Sequence, residues 1–337
     1  MEAETMALDG KILRRALDRY EEAGRLRSEN TRRLREEIYS KDPSIEELDA
    51  LLRASVAEAA AVALRGGADP EKAVAAIQEK NLGWQAERAG RIRALGYPVK
   101  CIDDVPACPL CNDRGYVGTK PCQCLMQLYK EEQRKELSRL LDLQGENFAA
   151  FQLRYYSDLP DPQTGFSHRK HMEMVWHSCR HFAETFEPGK ANLFLTGAPG
   201  LGKTFLSACI AGLVSEKGYS VVYDTAVNVV SFFEDARFGR RGDPEEAEAD
   251  AKRCLRCDLL ILDDLGTEMN TSFSVSTIYE VLNTRLREGK STVVSSNLGI
   301  EEIEYRYSPQ IASRLAGYYG ELKFYGSDIR KQKKAEG

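Results

Sequence analysis

The sequence lacks long apolar runs and has no excess of basic charge. Its 337 residues include no stretch approaching the roughly 18 consecutive apolar residues of a membrane-spanning helix, and its first fifteen residues lack the apolar core of a secretory signal. We therefore expect a cytoplasmic protein with no membrane contact. The formal net charge is -5, so any contact with nucleic acid must come from local basic patches rather than from the overall field.

The composition also excludes a disordered or fibrous chain. Hydrophobic residues make up 42% and charged residues 29% of the sequence, as in ordinary globular proteins. We find no internal repeat. At roughly 100–200 residues per domain, the length predicts two domains and leaves room for a third small one.

Two different periodicities divide the chain. Apolar residues recur at helical spacing through the first hundred residues, which predicts helices over 11–39, 44–65, 70–80 and 82–95. From about residue 150, short apolar runs alternate with helical stretches, and we predict strands over 192–196, 220–223, 259–262 and 292–296. Such alternation indicates an α/β domain with a parallel sheet. The polar stretch 238–250 is expected to be a mobile surface segment.

The strongest motif is a P-loop at residues 197–204. It consists of Gly197, Ala198, Pro199, Gly200, Leu201, Gly202, Lys203 and Thr204. Backbone amides and a helix N-terminus bind phosphate in such loops, the lysine reaches the β and γ phosphates, and the hydroxyl is a ligand of Mg²⁺. A predicted strand precedes the motif and a predicted helix follows it, which favours an ATP·Mg²⁺ site over a chance glycine-rich turn.

Carboxylates follow the next strong apolar run. Residues 259–262 end in Asp263 and Asp264, the arrangement that holds the metal in P-loop ATPases. We expect Asp263 to act on Mg²⁺ and Asp264 to orient or deprotonate the attacking water, with Glu268 as a competitor for that role. Asn297 ends the following strand, where it could polarise the water or contact the γ-phosphate. The alternative is that these are ordinary solvated residues at strand ends.

Five of the nine cysteines lie between residues 101 and 124. A CxxC and a CxC can present four thiolates tetrahedrally to Zn²⁺. These are Cys108, Cys111, Cys122 and Cys124. Glycines between the two halves suit a tight hairpin, and Cys101 could replace one ligand. A redox pair is the alternative, although no strand precedes the CxxC. Cys254 and Cys257 share its spacing but are interpreted as buried apolar residues.

The motifs of residues 148–331 resemble those of the AAA+ ATPase domain of replicative helicase loaders of the DnaC/DnaI type, a group that resembles the IstB-type transposition helper ATPases. The matching motifs are at 193–204, 259–266, 295–297, 313–315 and 326–330. The resemblance implies an ATP hydrolase in which Asn297 is the sensor 1 residue. It also implies that Arg314 is an arginine finger acting on a neighbouring subunit, hence a homo-oligomer, and that Arg330 is the sensor 2 residue acting in cis.

The cysteine block extends the resemblance toward the N-terminus. A GYP at 96–98 followed by the cysteine pattern occurs in a DnaI-like group, although Arg114 stands where that pattern prefers threonine. The resemblance implies that the N-terminal part docks on the replicative helicase while the ATPase part governs loading. The expected domains are a helical segment (1–100), a zinc-binding module (101–125), a helical linker (126–147) and an AAA+ P-loop NTPase domain (148–337).

A loader must also hold single-stranded DNA, through basic and aromatic side chains. Candidates follow the second strand of the ATPase domain: Phe232, Phe233, Arg237, Phe238, Arg240 and Arg241. The alternative places both neighbouring phenylalanines in the core, and the acidic run 245–250 weakens the DNA interpretation. Three functions compete: a helicase loader, an IstB-like transposition helper, and a zinc-containing adaptor that uses ATP only as a switch.

Overall fold

A computed structural model describes residues 8–65, 70–140, 147–160, 165–239 and 244–336. The helices are Gly10–Lys41 (α1), Pro43–Arg65 (α2), Pro70–Ala94 (α3), Gln123–Leu140 (α4), His168–Glu184 (α5), Lys203–Glu216 (α6), Ala226–Phe238 (α7), Pro244–Arg256 (α8), Ser272–Arg287 (α9), Ile300–Arg306 (α10), Pro309–Tyr318 (α11) and Ile329–Glu336 (α12). The strands are Tyr116–Val117 (β1), Lys120–Pro121 (β2), Leu193–Thr196 (β3), Val221–Thr225 (β4), Leu259–Leu265 (β5), Ser291–Ser296 (β6) and Gly320–Lys323 (β7). In this part of the chain, no helix is both long enough and apolar enough to cross a membrane.

The chain divides into two compact units. One, here called the cysteine unit, is Leu17–Leu125, and the other, the sheet unit, combines Met1–Ala16 with Met126–Gly337. The cysteine unit has its own small apolar core, formed by Ile38, Ile45, Ile92 and Ile102.

This division differs from the expected boundaries at three places. The expected helical segment and zinc-binding module lie in one unit. The start of α1 belongs to the sheet unit, where the Asp9 carboxylate accepts a hydrogen bond from Arg253 (2.6 Å). The described part of the expected linker, residues 126–140, belongs there too. In α4, the Gln133 amide donates to Ser215 Oγ (2.8 Å) and to the carbonyl of Tyr219 (2.6 Å). These polar contacts across long sequence separations leave no local pattern by which the sequence could reveal them.

The sheet unit is built on a five-stranded sheet in the order β4-β5-β6-β3-β7, with every neighbouring pair parallel. This confirms the expected α/β fold. Alternate residues of each strand enter separate cores on the two faces: Leu193 and Leu195 on one, Phe194 on the other. All four predicted strands are present, whereas β7 was missed because a short, largely exposed edge strand has no apolar run.

Two other expectations are wrong. The predicted helices 70–80 and 82–95 form one continuous helix, α3, because the glycine at position 83 is tolerated within it. The expected mobile segment 238–250 instead contains the end of α7 and the first half of α8. Pro244 is the first helical residue of α8 and two glutamates occupy its first turn, both of which favour a helix start. Residues 240–243 lie outside the described part.

A fully buried arginine joins α8, α9 and the sheet. The Arg285 side chain donates to the carbonyls of Cys254 (2.8 Å) and Cys257 (3.0 Å), near the C-terminus of α8. It also donates to the carbonyl of Ser291 (2.5 Å) and to Thr292 Oγ1 (3.0 Å) in β6. A guanidinium carries enough donors to satisfy several buried carbonyls, and its positive charge complements the negative end of a helix.

We predict that Arg285→Leu lowers the free energy of unfolding by about 2 to 4 kcal/mol, because it leaves several buried carbonyl oxygens without donors. Chemical denaturation followed by circular dichroism measures the change. Arg287→Leu, at an exposed position on the same helix, is the matched control and should stay near wild type. Equal stability of the two variants would contradict the bracing role of Arg285.

Candidate functional site

The parallel sheet brings the predicted site residues to one edge. The P-loop follows β3, the carboxylate pair ends β5, and Asn297 follows β6. Carboxyl ends of parallel strands lie on the same side of a sheet, which is where ligands bind in such folds. Gly200 has φ of +77°, a backbone conformation that favours glycine. A Cβ atom at this position would also overlap the Asp328 side chain.

The Lys203 side chain is buried against the P-loop. Its ammonium donates to the carbonyls of Gly197 (2.6 Å) and Ala198 (3.0 Å). It also donates to Oδ1 of Asn297 (2.8 Å), so the P-loop and the end of β6 are directly joined. Burial lowers the pKa of Lys203. The structure thus brings together two of the residues expected to contact the γ-phosphate.

Asp263 is the centre of a set of hydroxyl donors. One oxygen of its carboxylate accepts from Thr204 Oγ1 (3.2 Å) and from the phenol of Tyr223 (2.6 Å), and the other accepts from Ser295 Oγ. The hydroxyl and the carboxylate are the hard oxygen ligands that Mg²⁺ prefers, and their proximity fits a magnesium site. Neither Tyr223 nor Ser295 was given a role by sequence reasoning, although Ser295 lies in one of the matched motifs.

Asp264 faces a cavity of about 380 Å³. Phosphate-site residues line one part, including Lys203, Thr204 and Asn297, and an apolar wall that includes Phe151 and Phe205 lines another. Burial, followed by the charge of Asp263, raises the pKa of Asp264. A carboxylate with a raised pKa beside a phosphate site is suited to accept a proton from water. Sequence reasoning missed Phe151 because it comes from the turns at 148–155, which carry no motif.

The two arginines lie in different places. Arg330 lines the cavity at the start of α12, consistent with action on the nucleotide of its own chain. Arg314, on α11, is held away from that cavity: its guanidinium donates to Tyr279 OH (2.8 Å) and Asn283 Oδ1 (2.8 Å). It also lies 4.4 Å from the centre of the Tyr279 ring.

Glu268 is not brought to the cavity. One of its carboxylate oxygens accepts the amide of Gly266 (3.1 Å) and the other accepts the hydroxyl of Tyr307. Both oxygens are thus used to fix the turn after β5 against α10. In this structure, Asp264 lines the cavity and Glu268 does not.

The candidate DNA-binding residues separate into two groups. Phe232 and Phe233 pack against the core on one face of the sheet, as the alternative interpretation held. Phe238 is 53% exposed at the end of α7, with the Arg237 guanidinium 5.8 Å from its ring centre. Arg240 and Arg241 lie outside the described residues.

The four predicted zinc ligands converge in the cysteine unit. Their sulfur atoms all lie within 4.8 Å of one another. Sγ of Cys108 is 3.7 Å from that of Cys122, and Sγ of Cys111 is 3.6 Å from that of Cys124. A tetrahedral zinc with Zn–S bonds of about 2.3 Å separates its sulfurs by about 3.8 Å, so the donor set fits the metal. Cys101 is not part of this cluster.

Local structure around the cysteines explains their convergence. The predicted hairpin forms between β1 and β2, with Gly115 and Gly118 at positive φ. The Asp113 carboxylate accepts the amide of Cys108 (2.9 Å), and the hydroxyl of Tyr20 lies 3.5 Å from the sulfurs of both Cys111 and Cys124. The hydrogen bond from Tyr20 lowers the pKa of the Cys111 thiol. Cys254 and Cys257 are buried in the sheet unit, as expected.

A family model matches part of the sheet unit. Residues 177–315 match the model of the IstB-like ATP binding protein family. This part of the sheet unit is therefore similar to the IstB-like ATP binding proteins and to the replicative helicase loader DnaC. The family match runs from α5 to α11, so the cysteine unit lies outside it.

Three relatives show how far this similarity extends. The replicative helicase loader DnaC of Escherichia coli is 25% identical over 136 residues, which are 40% of this chain and 54% of the relative. The replicative helicase loader DnaI of Bacillus subtilis is 29% identical over 148 residues, 43% and 46% of the two chains. An insertion sequence ATP-binding protein of Sinorhizobium fredii is 31% identical over 107 residues, 32% and 34%. The chain thus spans about half the length, or less, of these relatives.

We predict that the purified chain binds about one Zn²⁺ and that Cys122→Ser loses it, because three thiolates cannot complete the tetrahedral set. Metal analysis after exhaustive dialysis measures the stoichiometry. Cys101→Ser is the matched control, a cysteine of the same unit outside the cluster, and should retain the metal. Full zinc content in Cys122→Ser would mean that another group supplies the fourth ligand.

Proposed function

We propose that this protein is an ATP-dependent loader of the replicative DNA helicase, binding ATP, Mg²⁺ and single-stranded DNA during replication initiation. The observation that carries the ATP-dependent step is the meeting of Lys203, Asp264 and Asn297 in one cavity. The relatives named as replicative helicase loaders support the choice of partner. The cysteine unit supports it too, since it supplies a second folded body for recognition.

The chain's own groups account for the steps of hydrolysis. The amides of the P-loop and the N-terminus of α6 bind the phosphates, and Lys203 exchanges its carbonyl partners for phosphate oxygens. Thr204 and Asp263 would hold Mg²⁺, and the bound ion would neutralise charge on the phosphates. Asp264 accepts the proton of the attacking water, and Asn297 orients that water.

The arginines divide the work between subunits in this proposal. Arg330 acts on the nucleotide of its own chain, which its place in the cavity wall supports. Arg314 acts on a neighbour's nucleotide, as an arginine finger that stabilises the charge of the transferred phosphoryl group. Its distance from its own cavity and its support by Tyr279 and Asn283 suit a side chain presented to another subunit.

We predict that Lys203→Ala and Arg314→Ala each abolish ATP turnover and that mixing the two chains restores part of it. Mixed interfaces pair an intact P-loop with an intact arginine finger, so turnover should pass through a maximum as the mixing ratio is varied. The reference is a mixture of Lys203→Ala with Arg287→Ala, a change at an exposed arginine. In this mixture only the Lys203→Ala chain should be inactive. If the two inactive chains assemble together without recovering turnover, Arg314 does not act in trans.

The cysteine unit is the proposed docking element for the helicase. Among its described residues it contains no phosphate-binding loop, and it presents exposed apolar side chains at Leu51 and Leu82 on α2 and α3. Exposed apolar residues on helices suit bundle-like docking to a partner helix. The alternative is that this unit only braces its own ATPase domain.

We predict that the full chain captures the replicative helicase of the same organism with or without ATP, and that Leu82→Glu weakens capture at least about tenfold, because it places a charge on an apolar contact. Lys203→Ala should still capture the helicase but should not deliver it to single-stranded DNA, because delivery requires the nucleotide. Pull-down and helicase-loading assays measure the two steps. Glu79→Gln, an exposed change on the same helix, is the control.

One observation favours a second function. The family model is that of IstB-like proteins, and the insertion sequence relative has 31% identity over its matched part. A transposition helper should stimulate a transposase encoded beside its gene and should not capture a helicase. The adaptor alternative predicts ATP binding with negligible turnover. The capture and turnover assays therefore separate all three functions.

A further inference from the structure

Ser295 lies in β6, next to Asp263 and Asp264 of the candidate ATPase site. Its side chain is fully buried, and its hydroxyl has two partners. It donates to Oδ1 of Asp263 and accepts the backbone N–H of Asp264 (3.0 Å). One hydroxyl therefore links the residue that holds the metal to the residue that faces the water.

The backbone at Asp264 needs such a partner. The pairing of β5 with β6 shifts register between Leu262 and Leu265, so the strand bulges at the carboxylate pair. Asp264 has φ of +53°, in the left-handed region that non-glycine residues seldom occupy. A bulge takes an amide out of the ladder and redirects a side chain, and bulges occur often beside active sites. Here the Ser295 hydroxyl replaces the ladder partner of the Asp264 amide.

We propose that Ser295 is a positioning residue for ATP hydrolysis, holding the Asp263 carboxylate toward Mg²⁺ and the Asp264 backbone in the conformation that directs its side chain into the cavity. This rests on the proposed ATPase function. Tyr223 shares the first task, because its phenol donates to the other oxygen of Asp263 (2.6 Å), whereas the Asp264 amide donates to Ser295.

The neighbouring serine provides a comparison. Ser296 is equally buried in the same strand, and its hydroxyl also makes two hydrogen bonds. It donates to the carbonyl of Leu265 (2.5 Å) and accepts the amide of Leu298 (3.0 Å), with neither carboxylate as a partner. Replacing either serine by alanine removes two buried hydrogen bonds from β6. Only the replacement of Ser295 is expected to affect ATP hydrolysis.

The test compares Ser295→Ala, Ser295→Thr, Tyr223→Phe and Ser296→Ala in the full chain. The readouts are turnover, ATP affinity, Mn²⁺ affinity of the ATP complex by electron paramagnetic resonance, and hydrogen exchange of the Asp264 amide without nucleotide. For Ser295→Ala we expect turnover and Mn²⁺ affinity to fall about 10- to 100-fold, as for other residues that orient metal ligands. ATP affinity should stay within about twofold, because the P-loop contacts are unchanged, and the Asp264 amide should exchange faster.

The other variants separate positioning from folding. Ser295→Thr keeps the hydroxyl and should restore all readouts, Tyr223→Phe should weaken Mn²⁺ binding without affecting the Asp264 amide, and Ser296→Ala should leave turnover and Mn²⁺ affinity at wild type. Should Ser295→Ala not fold, Ser295→Cys, which lacks a strong hydrogen-bonding group, takes its place with the same expectation.

Two outcomes overturn the proposal. One is wild-type turnover and Mn²⁺ affinity in Ser295→Ala, and the other is an equal loss in Ser296→Ala, which would reduce Ser295 to a structural residue. A wild-type chain that binds ATP without turnover would instead contradict the proposed hydrolysis. In that case the Mn²⁺ and exchange measurements still decide whether Ser295 positions the pair.

Discussion

The buried carboxylate of Asp263 is the point through which the elements of the nucleotide site are joined. Hydroxyls from α6, β4 and β6 all donate to it, so the P-loop helix and two strands share one hydrogen-bonded centre. A buried charge is expensive unless it is hydrogen-bonded, and this need fixes the three elements relative to one another. The register shift in β5 then turns the next residue, Asp264, into the cavity. The geometry of the proposed water activation therefore depends on the hydrogen bonds that the Asp263 carboxylate accepts.

Lys203 carries a buried positive charge, which must also be hydrogen-bonded. It is buried, and its ammonium is satisfied by two loop carbonyls and Asn297. In the proposed function, ATP binding exchanges the two carbonyl partners of Lys203 for phosphate oxygens and does not create a charge in an apolar place. The hydrogen bond from Lys203 to Asn297 joins the phosphate site to the end of β6, where Ser295 also lies.

The cysteine unit achieves its local order by different means. The segment around its four cysteines is too short to bury a large apolar core, and the convergent thiols, the hairpin and the Tyr20 hydroxyl take over that role. A body of this kind outside the family-matched residues distinguishes the loader proposal from the transposition-helper one. In the loader proposal, this unit recognises the helicase while the sheet unit hydrolyses ATP.

Elements with strong local signals could be predicted from the amino-acid sequence alone: the P-loop, the carboxylate pair, four of the five sheet strands and the four clustered cysteines. These follow from short motifs and apolar periodicity, which are visible within a few residues. Other features became visible in the fold alone: Glu268 is hydrogen-bonded to Tyr307, the start of α1 and α4 belong with the sheet, and Tyr223 and Ser295 both donate to Asp263. The hydrogen bonds of Glu268, Tyr223 and Ser295 join residues 30 or more positions apart. A single polar residue in a predicted strand does not reveal which distant carboxylate it will contact.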